Sequence, residues 1–212
     1  RRKALLEKAS DADFVIIEDD YEAEANFIGN PTPALKSLDK YDRVIYVGSL
    51  SKTLSPGLRM GYMVGPEEFI REARALRRLM LRHPPANNQR SVALFLSLGH
   101  HDTLVHRQNQ VYKERWRIMR ESLEKYMPET YELPTFGGSA VWIEGDPRLD
   151  ATQLSVDARR QELLIEPGEI YFHGDDSPKN YFRLAYSSID SEFIEPGIRL
   201  ISEMIRDQLK AG

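Results

Sequence analysis

The sequence predicts an α/β fold with a mainly parallel sheet, followed by a smaller α+β unit. Three short apolar runs are typical of buried strands, namely "DFVIIEDD", "RVIYVGSL" and "MGYMVGP". Helical or loop segments separate these runs, which is the spacing expected of parallel strands joined by crossovers. After a long helical segment the pattern changes to "YELPTFGGSAVWIEG", "LLIEPGEIYF" and "NYFRLAYSS", which predicts the strands of the second unit.

The helices are predicted from apolar periodicity and from end signals. "GPEE" opens one helix that ends before Pro84, and Pro128 stops the long helix that precedes it. Helices are expected over residues 2–9, 67–83, 102–127, 151–161 and 191–210, with another that begins near Asn87 or Asn88. We place the boundary between the two units inside the long helix near residue 110, so that residues 1–110 form one unit and residues 111–212 the other.

The composition is typical of a globular protein with charges of both signs. The chain has 212 residues, a formal net charge of -4 and no cysteine. The missing cysteines exclude disulfides, thiolate catalysis and cysteine-ligated metals. No apolar run approaches the ~20 residues that span a bilayer and no leader pattern opens the chain, so we expect a cytoplasmic protein. The chain opens inside a helix and without Met, which indicates a fragment of a longer protein.

One lysine is notable because small hydroxyl residues surround it at the end of the second strand. Ser49, Ser51 and Lys52 precede "TLSPGLR", which ends at Arg59. An arginine fork and serine hydroxyls suit a phosphate, and a lysine amine freed of its proton can form a Schiff base. The segment therefore predicts a phosphate pocket beside an amine, which by itself fits a nucleotide or sugar-phosphate site equally well. The alternative is a solvated loop lysine, the usual state of this residue.

Three acids end the first strand. Because alternate side chains of a strand share a face, we expect Asp19 and Tyr21 on one face and Glu18 and Asp20 on the other. A carboxylate there can pair with a protonated ring nitrogen, and a phenol two residues further on can hydrogen-bond a ring hydroxyl. The alternative is that the acids cap the following turn, where Asp is common. Ligands of α/β sheets gather at such strand ends.

These segments resemble a known family. "VIIEDDYEAE", "TPALKSLD" and "RVIYVGSLSKTLSPGLRMGY" resemble the fold-type I pyridoxal-phosphate proteins of the aminotransferase class I/II family. Within it, they are most similar to the effector domain of MocR-type transcription regulators of the GntR superfamily. "PPANNQRSVALFLSLGHHDTLVHR" and "NYFRLAYSSI" extend the resemblance over essentially the whole chain. It implies the carboxyl-terminal half of such a domain: residues 1–110 belong to the large cofactor-binding domain and residues 111–212 form the small one.

The resemblance also implies roles for individual residues. Lys52 would form an aldimine with pyridoxal 5'-phosphate, and Asp19 would pair with the pyridinium nitrogen. Tyr21 would bond the ring hydroxyl, and the phosphate would be held by Ser49, Ser51 and Arg59. Arg183, in "FRLAYS", would bind the carboxylate of an amino-acid-like ligand, with a strand-edge salt bridge as the alternative.

Three functions remain open on the sequence. The resemblance favours an effector-sensing domain that forms an aldimine with an amino compound and regulates transcription. A genuine aminotransferase, for example of the aminoadipate type, and a cofactor-free dimerisation fragment are the alternatives. The family implies a homodimer, and DNA would be bound only through a winged-helix domain that lies outside this chain.

Two further groups of charged residues give weaker signals. Five arginines of the predicted helix at 67–83 could meet DNA phosphates, although a solvated helix face is the more frequent use of such residues; they are Arg71, Arg74, Arg77, Arg78 and Arg82. The spacing of His100, His101 and His106 does not place them on one helix face, so no metal site is predicted.

Overall fold

The structure is a computed structural model that describes residues 1–29, 32–128, 131–132, 137–174 and 176–211. Two compact units make up the chain. The first comprises Arg1–Asn26 and Asn30–Gln108. The second comprises Phe27–Gly29 and Asn109–Gly212. The long helix that joins the units contributes residues to both.

The first unit contains a three-stranded sheet. Its strands are β1 (Ile16–Asp20), β2 (Val44–Ser49) and β3 (Gly61–Val64), in the spatial order β1-β2-β3. The β1 and β2 strands are parallel, as predicted, whereas β3 is antiparallel to β2. Only residues 50–60 connect β2 to β3, which is too short for the crossover that a parallel pair requires.

Helices precede, separate and follow these strands along the chain. They are α1 (Arg2–Asp11), the short α2 (Leu35–Leu38), α3 (Glu67–Leu81), α4 (Ala86–Ser97) and α5 (His100–Tyr126). One buried cluster of this unit joins Leu6, Leu35 and Val44, and other buried side chains of the unit include Ile45 and Val92. Large apolar side chains of the same unit stay exposed, such as Ile17 at 71% and Leu79 at 84%. The described part of this unit therefore leaves much apolar surface uncovered.

The second unit has a larger core. Its strands are β4 (Tyr131–Glu132), β5 (Ala140–Glu144), β6 (Glu166–Pro167) and β7 (Tyr181–Ala185) in the order β4-β5-β7-β6, all antiparallel. Helices α6 (Ala151–Arg160) and α7 (Ser191–Ala211) complete it. Alternate strand residues are buried in a core that also includes Leu123 of α5 and Ile198 and Ile201 of α7. No helix in the described ranges has the length and apolar character needed to cross a membrane.

One predicted strand of this unit is much shorter than expected. Within "LLIEPGEIYF" only Glu166 and Pro167 pair with β7, and a 3₁₀ turn follows over Gly168–Tyr171. Pro167 has no N–H to continue the ladder. Gly168 packs so tightly that a Cβ atom there would lie 2.6 Å from the Trp142 ring. The backbone therefore turns away from the sheet after two residues.

Candidate active site

The acids that end β1 have different partners. Glu18 accepts hydrogen bonds from the backbone N–H groups of Leu35 (2.5 Å) and Lys36 (2.8 Å), at the start of α2. Asp20 accepts a hydrogen bond from the Tyr46 hydroxyl at 3.1 Å. Burial, together with the neighbouring phenol and carboxylate, raises the pKa of Tyr46, so this phenol remains a neutral donor. Two of the three acids are thus used to hold the fold, through α2 and β2 rather than through the turn that follows β1.

The side chains of Asp19 and Tyr21 differ from those of Glu18 and Asp20 in their contacts. Both are exposed, and neither side chain has a hydrogen bond or ion pair to any residue that the structure describes. In the β1–β2 register Asp19 lies opposite Val47, so its side chain shares a face with Ser49, two residues further along β2. The sheet therefore presents the Asp19 carboxylate and the Ser49 hydroxyl on one face of adjacent strands.

The connection between β2 and β3 carries the lysine. Its ends meet at Ser49 and Gly61, which are opposite each other in the antiparallel register. The Ser49 hydroxyl accepts a hydrogen bond from the Ser51 N–H at 3.2 Å, which folds the start of the loop and leaves the hydroxyl proton free to donate. Lys52 is exposed and forms no ion pair or hydrogen bond within the described ranges.

The end of this loop places Arg59 in an uncommon conformation. Ser55 caps a 3₁₀ turn over Pro56–Leu58 by accepting a hydrogen bond from the Gly57 N–H. Arg59 then adopts the left-handed region, with φ 50° and ψ 48°. That region is sterically unfavourable for a residue with a Cβ, and its occurrence is often associated with functional sites. The guanidinium is exposed and has no partner among the described side chains.

Close packing fixes the base of the loop. A Cβ atom on Gly61 would lie 2.6 Å from the carbonyl oxygen of Gly48, across the β2–β3 pair. Real Cβ atoms essentially never approach an oxygen so closely. Only glycine therefore allows the two strands to meet where the loop begins and ends.

Two residues that hold this loop were not found from the sequence. Asn88 of α4 donates to the carbonyl of Leu58 at 3.3 Å, and Gln108 of α5 donates to the carbonyl of Thr53 at 3.0 Å. Thr53 itself is buried, and its hydroxyl oxygen has no hydrogen-bond partner in the described structure. The amide side chains of Asn88 and Gln108 within predicted helices were the available signal, but the sequence does not say which loop they contact.

In the second unit Arg183 forms a salt bridge, as the alternative interpretation predicts. Its Nη1 lies 2.9 Å from Oε2 of Glu166, the residue directly opposite on β6, and Nη2 lies 3.4 Å from the Ser139 hydroxyl. The Tyr171 hydroxyl donates to the other oxygen of Glu166 at 2.5 Å. These two partners, the phenol first and then the guanidinium, lower the pKa of Glu166.

A cavity of about 530 Å³ lies beside β2, β3 and α3. Residues such as Val47, Tyr62, Ile70, Arg74 and Arg77 line it. None of the predicted cofactor-binding residues lines this cavity, so it supports no role for them. The arginines of α3 are exposed, which both interpretations of these residues allow.

The side chains of the lysine loop fit pyridoxal phosphate by their chemistry. A primary amine is available at Lys52, and two serines with an arginine offer hydroxyl and guanidinium donors for a phosphate. Asp19 offers a carboxylate for a protonated ring nitrogen. The buried hydroxyl of Thr53, which has no hydrogen-bond partner in the described structure, adds one more polar group to this loop.

Comparison with known proteins identifies the family. A family model described as "Aminotransferase class I and II" matches residues 12–201. The chain belongs to this family. The HTH-type transcriptional regulator TauR of Rhodobacter capsulatus is 45% identical to it over 206 residues, which are 97% of this chain and 43% of that protein. The 2-aminoadipate transaminase of Thermus thermophilus is 32% identical over 98% of this chain and 53% of its own length.

Solved structures of aminotransferases share the fold. The kynurenine aminotransferase of Pyrococcus horikoshii superimposes with a TM-score of 0.90 and 32% identity, over 98% of this chain and 52% of that chain. LysN, an α-aminoadipate aminotransferase from Thermus thermophilus complexed with N-(5'-phosphopyridoxyl)-L-leucine, gives a TM-score of 0.90 and 31% identity, over 100% and 55%. The prediction of a partial fold-type I fold is confirmed. The chain spans about half the length of these aminotransferase-family relatives.

Proposed function

We propose that this chain is the pyridoxal-phosphate-binding, amino-compound-sensing domain of a MocR-type transcription regulator. The observation that carries the proposal is the lysine loop between β2 and β3, where Lys52 and Arg59 are exposed without partners in the described structure. A regulator is preferred to an enzyme because the 45% identity to the regulator TauR exceeds the 32% identity to the transaminase.

The proposal gives each residue of the lysine loop a physical task. Pyridoxal phosphate supplies an aldehyde that condenses with amines and a ring that withdraws electrons. Lys52 provides the amine that anchors this group. Arg59 neutralises the phosphate through a charge-assisted contact, and Ser49 and Ser51 donate hydroxyl protons to it.

The residues at the end of β1 would orient the ring. Asp19 would hold the proton on the ring nitrogen, because a carboxylate at that position stabilises the protonated form. Tyr21 would donate a hydrogen bond to the ring hydroxyl. The absence of competing partners for both side chains in the described ranges supports these tasks, since neither would have to break an existing contact.

We further propose that Arg183 binds the carboxylate of an amino-acid-like ligand. Arginine presents donors in a fork that matches a carboxylate. The amino group of the same ligand would then compete with Lys52 for the cofactor. A homodimeric, cytoplasmic protein that contacts DNA through a separate domain completes the proposal.

The second candidate function is a genuine aminotransferase. It is favoured by the similarity to the Thermus thermophilus transaminase and to the Pyrococcus horikoshii enzyme. In that case Lys52, once released from the cofactor, would also carry a proton as general base. The two functions share their binding residues and differ in turnover.

Two measurements on the full-length protein test the proposal. The purified protein should show the visible absorbance band of a lysine-bound cofactor, and Lys52→Ala should remove that band. The absence of the band from the unmodified protein would refute cofactor binding. An amino compound should then change DNA binding without sustained release of a keto acid, whereas multiple turnovers would establish the aminotransferase instead.

A further inference from the structure

Arg183 lies on the face of the second unit's sheet that faces away from the core. Its neighbours on β7, Phe182 and Leu184, are buried in the core, whereas Arg183 is only half-buried. Trp142 on β5 and Glu166 on β6 lie directly opposite Arg183, one on each side. An indole, a guanidinium and a carboxylate therefore form a row across the outer face of the sheet.

Both oxygens of the Glu166 carboxylate are held in this row. One accepts from Arg183 Nη1 at 2.9 Å and the other from the Tyr171 hydroxyl at 2.5 Å. The Tyr171 ring in turn packs edge-on against Trp142, with 5.6 Å between ring centroids and an interplanar angle of 81°. Glu166 is thus a fixed counter-ion of Arg183, although its side chain is 40% exposed.

We propose that Glu166 sets the ligand selectivity of Arg183, because a ligand's anionic group must take over the guanidinium that Glu166 occupies. This inference rests on the proposed role of Arg183 in ligand binding. A bidentate carboxylate that docks on the end of the fork needs both Nη1 and Nη2, and Glu166 already holds Nη1. The long 3.4 Å contact of Nη2 with Ser139 is easily replaced, whereas the contact with Glu166 is not.

The charge of Glu166 remains beside the ligand after the exchange. It repels a second anionic group and attracts an amino group, since like charges within a few ångströms disfavour each other. The site therefore favours a zwitterion with a single carboxylate over a dicarboxylate. Substitution of Glu166 by Gln keeps the shape of the side chain and removes this discrimination.

A matched series of three compounds tests the proposal in the full-length protein. 3-Phenylpropionate has one carboxylate, phenylalanine adds an amino group at C2, and benzylsuccinate adds a carboxymethyl group there, which brings a second carboxylate. Binding is measured by calorimetry in a Lys52→Ala background without added cofactor, so that phenylalanine cannot react. Glu166→Gln should tighten 3-phenylpropionate binding about 5-fold, the upper value for an exposed ion pair. Benzylsuccinate should gain more and phenylalanine less.

Three variants serve as controls for this series. Ser139→Ala should leave the affinities unchanged, Tyr171→Phe should act in the same direction as Glu166→Gln but more weakly, and Arg183→Met should abolish binding of all three compounds. Equal or weaker anion binding in Glu166→Gln, or no binding in either protein, overturns the proposal. Because the assay needs no cofactor, the expected selectivity shift together with a missing cofactor band in the unmodified protein would refute the proposed function alone.

Discussion

The backbone conformation of Arg59 makes Arg59→Gly an informative substitution. A left-handed residue with a Cβ costs roughly 1–2 kcal/mol relative to a right-handed one. Glycine removes that cost but loses about 0.5–1 kcal/mol through the entropy of the unfolded chain. Because the guanidinium has no partner in the described structure, no contact is lost. We therefore expect the free energy of unfolding of the cofactor-free protein to stay the same or to rise by up to about 1.5 kcal/mol.

Cofactor affinity should respond in the opposite direction to stability. A charge-assisted hydrogen bond contributes roughly 1.5–3 kcal/mol, which corresponds to a loss of about 10- to 150-fold in affinity for pyridoxal phosphate. The affinity is measured by absorbance titration of the full-length protein, and stability by urea unfolding without cofactor. The cofactor affinity of Arg59→Lys, which keeps the charge but not the fork, should lie between those of the unmodified protein and Arg59→Gly.

A matched control comes from the second unit. Glu162 has a similar conformation, with φ 61°, and no proposed role in cofactor binding. Glu162→Gly should therefore show the stability effect without any change in cofactor affinity. Unchanged affinity in Arg59→Gly would refute the phosphate role, and a destabilisation above about 2 kcal/mol would show that Arg59 stabilises the fold instead.

Three further predictions follow from the same contacts. Glu18→Ala should destabilise the protein by about 1 kcal/mol because α2 loses its cap, whereas Asp19→Ala should lower cofactor affinity with little effect on urea unfolding. Gly61→Ala should cost about 1–3 kcal/mol because the new Cβ meets a carbonyl oxygen, and Gly29→Ala, where a Cβ has open space, should not. The lowered pKa of Glu166 means that its contribution to stability is present above its ordinary pKa of 4.5 and is lost as the pH falls through the folded value. Glu166→Gln should therefore flatten the acid limb of a thermal-unfolding pH profile, and an unaltered limb would contradict the pairing.

The part of the candidate site that the sequence predicts is the part set by local pattern. Alternation along β1 places Asp19 on the face opposite Glu18 and Asp20, and this requires only strand geometry, whereas Tyr21 lies in the turn that follows the strand. The lysine loop is likewise contiguous in sequence, so its residues can be grouped without any tertiary information. Their proposed roles in binding the cofactor remain predictions.

The contacts that the sequence did not predict depend on tertiary packing. The use of Glu18 as a cap requires knowing that α2 begins beside β1, and the donation from Gln108 to Thr53 joins residues 55 positions apart. The close packing of Gly168 against the Trp142 ring, at the early end of β6, is likewise a contact between residues far apart in sequence. Propensity alone does not contain these long-range contacts.

The most direct test of the central claim is to trap the cofactor on its lysine. The full-length protein is incubated with pyridoxal phosphate, reduced with borohydride and digested, and the lysine peptides are examined by mass spectrometry. We predict a reduced cofactor adduct on Lys52, with Lys36 and Lys40 unmodified, and no adduct at this peptide in Lys52→Ala. An unmodified Lys52, or labelling spread equally over exposed lysines, would contradict the account.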